Sequence, residues 1–127
     1  MAVKRVRLDL EYIFRASPTI LYNFVTTNAC LVRWYCDDVD ITNDTYTFNW
    51  AGSTEVALLI DDIEDERVKF EWEDAAPDEF LEYRMYKSDI TNETILEITD
   101  FCDEDEVGEV TDFWNNLMNV LHKECGG

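Results

Sequence analysis

The clearest hydrophobic period of the chain lies near its end, in residues 103–123. Apolar residues recur there at steps of three and four, which is the spacing of one face of an α-helix. The stripe consists of Val107, Val110, Trp114, Leu117 and Leu121, and it is widened by Phe113, Met118 and Val120. The pattern predicts a helix of about 20 residues, roughly 30 Å long, whose apolar face needs a partner surface.

Most of the preceding chain alternates between apolar and polar residues, which is typical of β-strands with one solvated face. The first such stretch, residues 5–15, has Val6, Leu8, Leu10, Tyr12 and Phe14 on one side. Six further strands are predicted at 38–41, 45–50, 54–63, 67–73, 80–87 and 93–101. Within 54–63 the apolar face is expected to carry Val56, Leu58 and Ile60.

Two short helices are predicted between the first strand and the others. Ser17 followed by Pro18 is a favourable N-cap with proline at the first helical position, so a helix is expected over 18–26. A second helix is expected over 29–35, where Trp34 is one of the apolar anchors.

The order of elements is therefore β-α-α-β-β-β-β-β-β-α, which predicts an α+β fold. Six consecutive strands with tight connections indicate an antiparallel meander, and the first strand is expected to join the same sheet. The final helix must bury its stripe against the concave face. We expect a curved antiparallel seven-stranded sheet wrapped around a long C-terminal helix, as one domain over residues 1–127.

The chain is strongly acidic, with 29 acidic and 10 basic residues and a net charge of −19. This charge excludes nucleic acid as a partner and disfavours anionic membranes, because both require a basic surface. No segment has the apolar run of a signal peptide or a membrane span, so we expect a cytoplasmic protein. Cys30, Cys36, Cys102 and Cys125 form no CxxC pair and are expected to be free thiols.

Residues for catalysis or metal binding are sparse. His122, the single histidine, lies at the predicted end of the final helix, where a basic residue complements the helix dipole. Asp38, Asp40, Thr42 and Asp44 alternate like the ligands of a calcium loop but lack its glycine and terminal glutamate. The acidic run 103–106 suits a helix start without a metal. We therefore predict no catalytic residue, no metal and no cofactor.

Local motifs give a family resemblance. The segments FRASP at 14–18, LY at 21–22 and LVRW at 31–34 resemble the start of small bacterial proteins similar to the activator of the Hsp90 ATPase. These proteins belong to the START-like (SRPBCC) superfamily, whose helix-grip fold has the same order of elements. The resemblance implies a cavity between the sheet and the last helix, often for an apolar ligand such as a lipid, sterol or polyketide. It carries over no catalytic residue.

The expected interior is rich in aromatic residues, and two interpretations compete for it. These side chains either fill the space between sheet and helix at native packing density or line a small-molecule pocket. The residues predicted to line such a cavity are Trp34, Phe48, Trp50, Phe70, Trp72, Tyr83, Met85, Trp114 and Met118, with Tyr35 also expected to face it.

Three functions remain open from the sequence. The first is a non-enzymatic domain that binds a small hydrophobic ligand between the sheet and the final helix. The second is a protein-interaction or cochaperone-like module, or a homodimer, in which the acidic surface attracts a basic partner. The third is an enzyme built on a similar cavity.

Overall fold

The computed structural model describes residues 3–127. The helices and strands in this range follow the predicted order. The strands are β1 (Arg5–Phe14), β2 (Asp38–Thr42), β3 (Thr45–Trp50), β4 (Ser53–Ile63), β5 (Arg67–Trp72), β6 (Leu81–Lys87) and β7 (Thr94–Asp103). The helices are α1 (Pro18–Thr26), α2 (Asn28–Leu31) and α3 (Val107–Cys125), with a single 3-10 turn, Glu104–Glu106, before α3.

The strands form one curved, seven-stranded antiparallel sheet in the order β1-β7-β6-β5-β4-β3-β2. Strands β2 to β7 are a meander, and β1 closes the far side by pairing with β7 along its whole length, from Arg5 opposite Asp103 to Phe14 opposite Thr94. The β4–β5 register shifts between Leu59 and Asp61, which marks a bulge. The fold class predicted from the sequence is confirmed.

The core lies between the concave face of the sheet and the helices α1 and α3. Alternate residues of β5, β6 and β7 point into it, as their period-two pattern predicted. The buried sheet residues of these strands include Val68, Phe70, Tyr83, Met85, Leu96 and Ile98, and α3 contributes Trp114, Met118 and Leu121. Within residues 3–127 no helix is both long and apolar enough to cross a membrane.

The apolar face expected for β4 points away from the core. Leu58 and Ile60 are 48% and 43% exposed on the outer face, whereas Ala57 is fully buried. Ala57 lies opposite Tyr46 of β3 and Trp72 of β5, so the small inward residue of β4 has a large residue on each neighbouring strand. Counting apolar residues along one strand misses this compensation, because the neighbouring strands supply the volume.

The buried face of α3 is also narrower than predicted. Trp114, Met118 and Leu121 follow the expected spacing and are buried, but Phe113 is 52% exposed and Val120 is exposed as well. One residue step turns the helix by about 100°, so residues beside the stripe reach its edge and not the core. Phe113 lies instead at the mouth of the cleft described below.

The two short helices agree with the sequence only in part. In α1, Ser17 Oγ accepts a hydrogen bond from the Ile20 backbone N–H at 3.2 Å, so the predicted cap is confirmed. Helix α2 ends at Leu31, well before the expected residue 35. The chain leaves the helix there in tight turns, which lets the Trp34 indole N–H reach the Phe24 carbonyl at 2.8 Å.

Candidate functional site

A cleft of about 700 Å³ lies between the first half of α3 and one end of the sheet. The ends of β3, β5 and β7, the start of β4, and the β5–β6 loop surround it. Its lining includes Arg5, Tyr35, Trp50, Ser53, Glu55, Trp72, Asp74, Ala75, Ala76, Glu79, Phe80, Leu81, Asp100, Phe101, Phe113 and Trp114. The rest of the interface between α3 and the sheet is closed by packed side chains.

Aromatic rings form much of the cleft wall. Trp50 and Trp72 are the last residues of β3 and β5, which places both indoles at the same end of the sheet. The Tyr35 ring lies between Trp50, at 5.5 Å and nearly perpendicular, and Trp114, at 6.3 Å and nearly parallel. The Trp50 indole N–H donates to the Tyr35 carbonyl at 2.7 Å, so the wall is held by polar as well as apolar contacts.

Asp100 is a partly buried carboxylate on the cleft lining. Its Oδ2 accepts a hydrogen bond from Trp114 Nε1 at 2.9 Å, and its Oδ1 accepts one from the Phe101 backbone N–H at 2.8 Å. Burial raises the pKa of Asp100, and Glu79 raises it further, whereas the two hydrogen bonds and Arg5 act in the opposite direction. The bond to Trp114 links the floor of the cleft to α3.

Arg5 closes one side of the cleft. Its guanidinium binds Glu79 through two hydrogen bonds, of 2.6 and 3.0 Å, and binds Asp103 at 3.0 Å. The hydrogen bond from Arg5 lowers the pKa of Glu79. Because Glu79 lies in the β5–β6 loop and Asp103 ends β7, this cluster fastens the loop to the edge of the sheet.

Two tyrosines, Tyr35 and Tyr83, lie near enough to Asp100 to interact with its charge. Burial raises the pKa of both Tyr35 and Tyr83, and the nearby Asp100 carboxylate raises it further, so both hydroxyls remain protonated at physiological pH. The Tyr35 side chain lines the cleft, and its hydroxyl forms no hydrogen bond with any residue in the range 3–127. The cleft therefore offers the Tyr35 hydroxyl as a polar group among its aromatic rings.

The structure divides the predicted cavity residues into two groups. Trp50, Trp72 and Trp114 line the cleft. The others are buried in the packed interior and do not line the cleft, namely Trp34, Phe48, Phe70, Tyr83, Met85 and Met118. The difference is one of position along the strand and helix, since only residues at one end of the sheet reach the opening. Ligand binding by any of them remains a prediction.

Sequence reasoning missed the polar part of the cleft. Glu55, Asp74 and Glu79 lie in an ordinary acidic background and carry no distinguishing pattern. Asp100 did have a signal, because a step of two from Leu96 and Ile98 places it on the inward face of β7. A charged residue at an inward position of an apolar strand is unusual and indicates a special environment.

The other residues considered for chemistry lie outside the cleft. The His122 ring stacks on Phe14 with ring centres 4.0 Å apart. Asp38, Asp40 and Thr42 are exposed along β2, where Thr42 donates a hydrogen bond to Asp40. Carboxylate oxygens of Asp103, Asp105 and Glu106 lie within 4.8 Å of one another at the start of α3, as an acidic cluster near the protein surface.

Comparison with solved structures gives close matches over nearly the whole chain. The Aha1 dimer from Colwellia psychrerythraea superposes with a TM-score of 0.80 at 17% identity, covering 94% of this chain and 96% of the other. The Mll3558 protein from Rhizobium loti gives 0.77 at 19% identity, with 98% and 99% covered. The BfR322 protein from Bacteroides fragilis gives 0.69 at 28% identity, with 96% and 92% covered.

Sequence comparison addresses the family directly. A search among curated proteins finds no match. The sequence profile of the START-like superfamily domain, in contrast, matches residues 1–127. This match and the structural similarities agree with the sheet order and with the position of α3 on the concave face. The chain belongs to the START-like superfamily.

Proposed function

We propose that this protein is a non-catalytic binding domain that holds a small, largely apolar ligand in the cleft between α3 and the sheet. The observation that carries the proposal is the cleft of about 700 Å³ walled by Trp50, Trp72 and Trp114. Small-molecule sites in proteins typically have volumes of about 300–1,000 Å³ and combine apolar walls with a few polar groups. The cleft has both features.

The position of the cleft also limits the ligand. The middle of the interface between α3 and the sheet is filled by packed side chains such as Phe70, Tyr83 and Met118. A long lipid tail would have to displace this core, which is costly in a close-packed interior. A compact ligand with a planar or short aliphatic body fits the open end without such a change.

Native mass spectrometry and thermal-shift screening test this proposal. A ligand that binds the folded state raises the melting temperature by mass action. We expect hits from a library of compact apolar compounds to lose their shift in Trp72→Ala, which removes part of the cleft wall. The hits should keep their shift in Leu58→Ala, which changes the exposed outer face of β4. No bound ligand and no hit would contradict the proposal.

A second candidate function is self-association through the outer face of the sheet. One observation favours it besides the Aha1 dimer from Colwellia psychrerythraea. Ile13, Ile95 and Tyr86 lie opposite one another on β1, β7 and β6, and Ile13 and Tyr86 are exposed. This row gives a small apolar surface on the outer face of the sheet, of the kind found in interaction sites.

Sedimentation velocity distinguishes this candidate from a monomeric binding domain. If the row is an interface, the protein sediments as a dimer, and Ile13→Lys shifts it to the monomer. Ile90→Lys is the matched control, because Ile90 is exposed in the β6–β7 loop. A monomer at all concentrations would exclude self-association and leave the cleft proposal intact.

A further inference from the structure

The cleft carries an excess of negative charge. Within residues 3–127 its lining includes one cationic side chain, Arg5, and the carboxylates of Glu55, Asp74, Glu79 and Asp100. The guanidinium of Arg5 is already bound by Glu79 and, outside the lining, by Asp103. The carboxylates of Glu55, Asp74 and Asp100 form no ion pair with any described residue. A neutral apolar ligand would leave this charge uncompensated.

Asp100 is the carboxylate best placed to meet a ligand. Its two hydrogen bonds, from Trp114 and from the Phe101 backbone, fix its orientation but leave lone pairs on both oxygens. A preoriented group loses little entropy when it binds a partner. The environment is also partly desolvated, which strengthens any attraction between this carboxylate and a positive charge. The raised pKa of Asp100 has the same origin in burial.

The aromatic wall favours the same sign of charge. The π-system of an indole or phenol ring is negative on its faces and attracts cations, and Trp is the most effective such residue. Trp50, Trp72 and Trp114 line the cleft together with Tyr35. The cleft therefore suits an organic cation. The carboxylates and ring faces attract the positive charge of the cation, and the rings also contact its apolar part.

The Tyr35 hydroxyl is a further polar group that a ligand in the cleft can contact. Tyr35 is only 8% exposed, lines the cleft, and makes no side-chain hydrogen bond within the described range. The hydroxyl oxygen itself is not among the buried atoms without a partner in residues 3–127, so water or a ligand in the cleft can reach it. Its oxygen can accept a hydrogen bond from an N–H donor in the cleft.

We propose that the ligand of this cleft is a small organic monocation, a protonated amine on a compact aromatic or aliphatic body. The charged group lies near Asp100, and the apolar body lies against the tryptophans. This inference rests on the proposed function of the cleft, because it specifies the chemical class of the ligand that the cleft holds.

Isothermal titration calorimetry with three probes of the same shape tests the inference. Phenethylamine is a cation near neutral pH, phenethyl alcohol is neutral, and phenylacetate is an anion. We expect the amine to bind at least about tenfold more tightly than the alcohol, because it adds cation–π and charge–charge attraction. Phenylacetate is expected to bind most weakly, because its carboxylate is repelled by the carboxylates of the cleft.

Two variants separate the local effect of Asp100 from the general attraction of a protein with a net charge of −19. Asp100→Asn should bring the amine to within about threefold of the alcohol, because the nearest fixed charge is lost. Asp89→Asn makes the same change of charge in the exposed β6–β7 loop and should preserve the preference. Glu55→Gln, at the cleft rim, gives a second test if Asp100→Asn does not fold.

Each outcome has a distinct meaning. If the alcohol binds as tightly as the amine, the cleft is a ligand site but the ligand is not a cation. If Asp89→Asn weakens amine binding as much as Asp100→Asn does, the preference comes from net charge and the inference is wrong. If none of the three probes binds, the inference is wrong, and the library screen described above decides the proposed function of the cleft separately.

Discussion

Replacement of Trp114 by alanine is the sharpest perturbation of the α3–sheet interface. Trp114 has the largest of the fully buried side chains and is 2% exposed. Its ring packs edge-on against Tyr83 with centres 6.1 Å apart, and its indole N–H donates to Asp100 at 2.9 Å. The substitution removes both the packing and the hydrogen bond.

The expected cost follows from these contacts. Large-to-small changes of buried aromatic residues destabilise proteins by about 3–5 kcal/mol. The lost hydrogen bond contributes about 1 kcal/mol, but the space left by the indole joins the open cleft, where water replaces some contacts. We therefore expect a loss within the same range of about 3–5 kcal/mol. Trp114→Phe keeps most of the ring packing and should cost about 1–2 kcal/mol.

Urea unfolding followed by circular dichroism measures these differences from the midpoint and slope of the transition. Phe113→Ala is the control, since Phe113 is the preceding residue of the same helix and is largely exposed. It should cost no more than about 1 kcal/mol. A Trp114→Ala protein no less stable than Phe113→Ala would refute the burial of α3 against the sheet.

Three smaller perturbations test other contacts. Ser17→Ala removes the side-chain cap of Ile20 N–H and should cost about 1 kcal/mol in urea unfolding; an unchanged midpoint would show that the cap is not formed. Arg5→Gln breaks the half-exposed ion pair with Glu79 and should lower the free energy of unfolding by at most about 1 kcal/mol. This loss should disappear at high salt, which screens exposed charges, and a loss that does not depend on salt would contradict the prediction. Because burial raises the pKa of Asp100 in the folded state, its contribution to stability is most favourable below its unfolded pKa and declines as pH rises through the folded pKa. The difference obtained by subtracting the melting temperature of the unaltered protein from that of Asp100→Asn should therefore increase from acid to neutral pH. A difference that does not change with pH would be inconsistent with a raised pKa of Asp100.

The fold was largely predictable because its signals are local. Ser17 and Pro18 fix the start of α1, and the period of two in β5 to β7 identifies the inward face. Prediction failed where a neighbouring element decided the outcome. Ala57 faces the core opposite Tyr46 and Trp72 on the neighbouring strands, and no pattern within β4 contains that pairing.

The candidate site was predictable only in its aromatic part. Trp50 and Trp72 end alternating strands, so the sequence places both among the inward residues. Their shared position at the open end depends on sheet order and register, which the residues alone do not specify. Asp100 and Glu79 meet near the cleft from β7 and from the β5–β6 loop, and such long-range convergence leaves no trace in an acidic sequence.

The location of ligand binding is tested most directly by the indole N–H signals in a proton–nitrogen correlation NMR spectrum. The chain has 4 tryptophans, of which Trp50, Trp72 and Trp114 line the cleft. The fourth, Trp34, lies in the core, where its indole N–H donates a hydrogen bond to the Phe24 carbonyl. On titration with phenethylamine we expect the three cleft signals to shift and saturate while the Trp34 signal stays in place. No shift, or an equal shift of all these signals, would contradict a ligand site in the cleft.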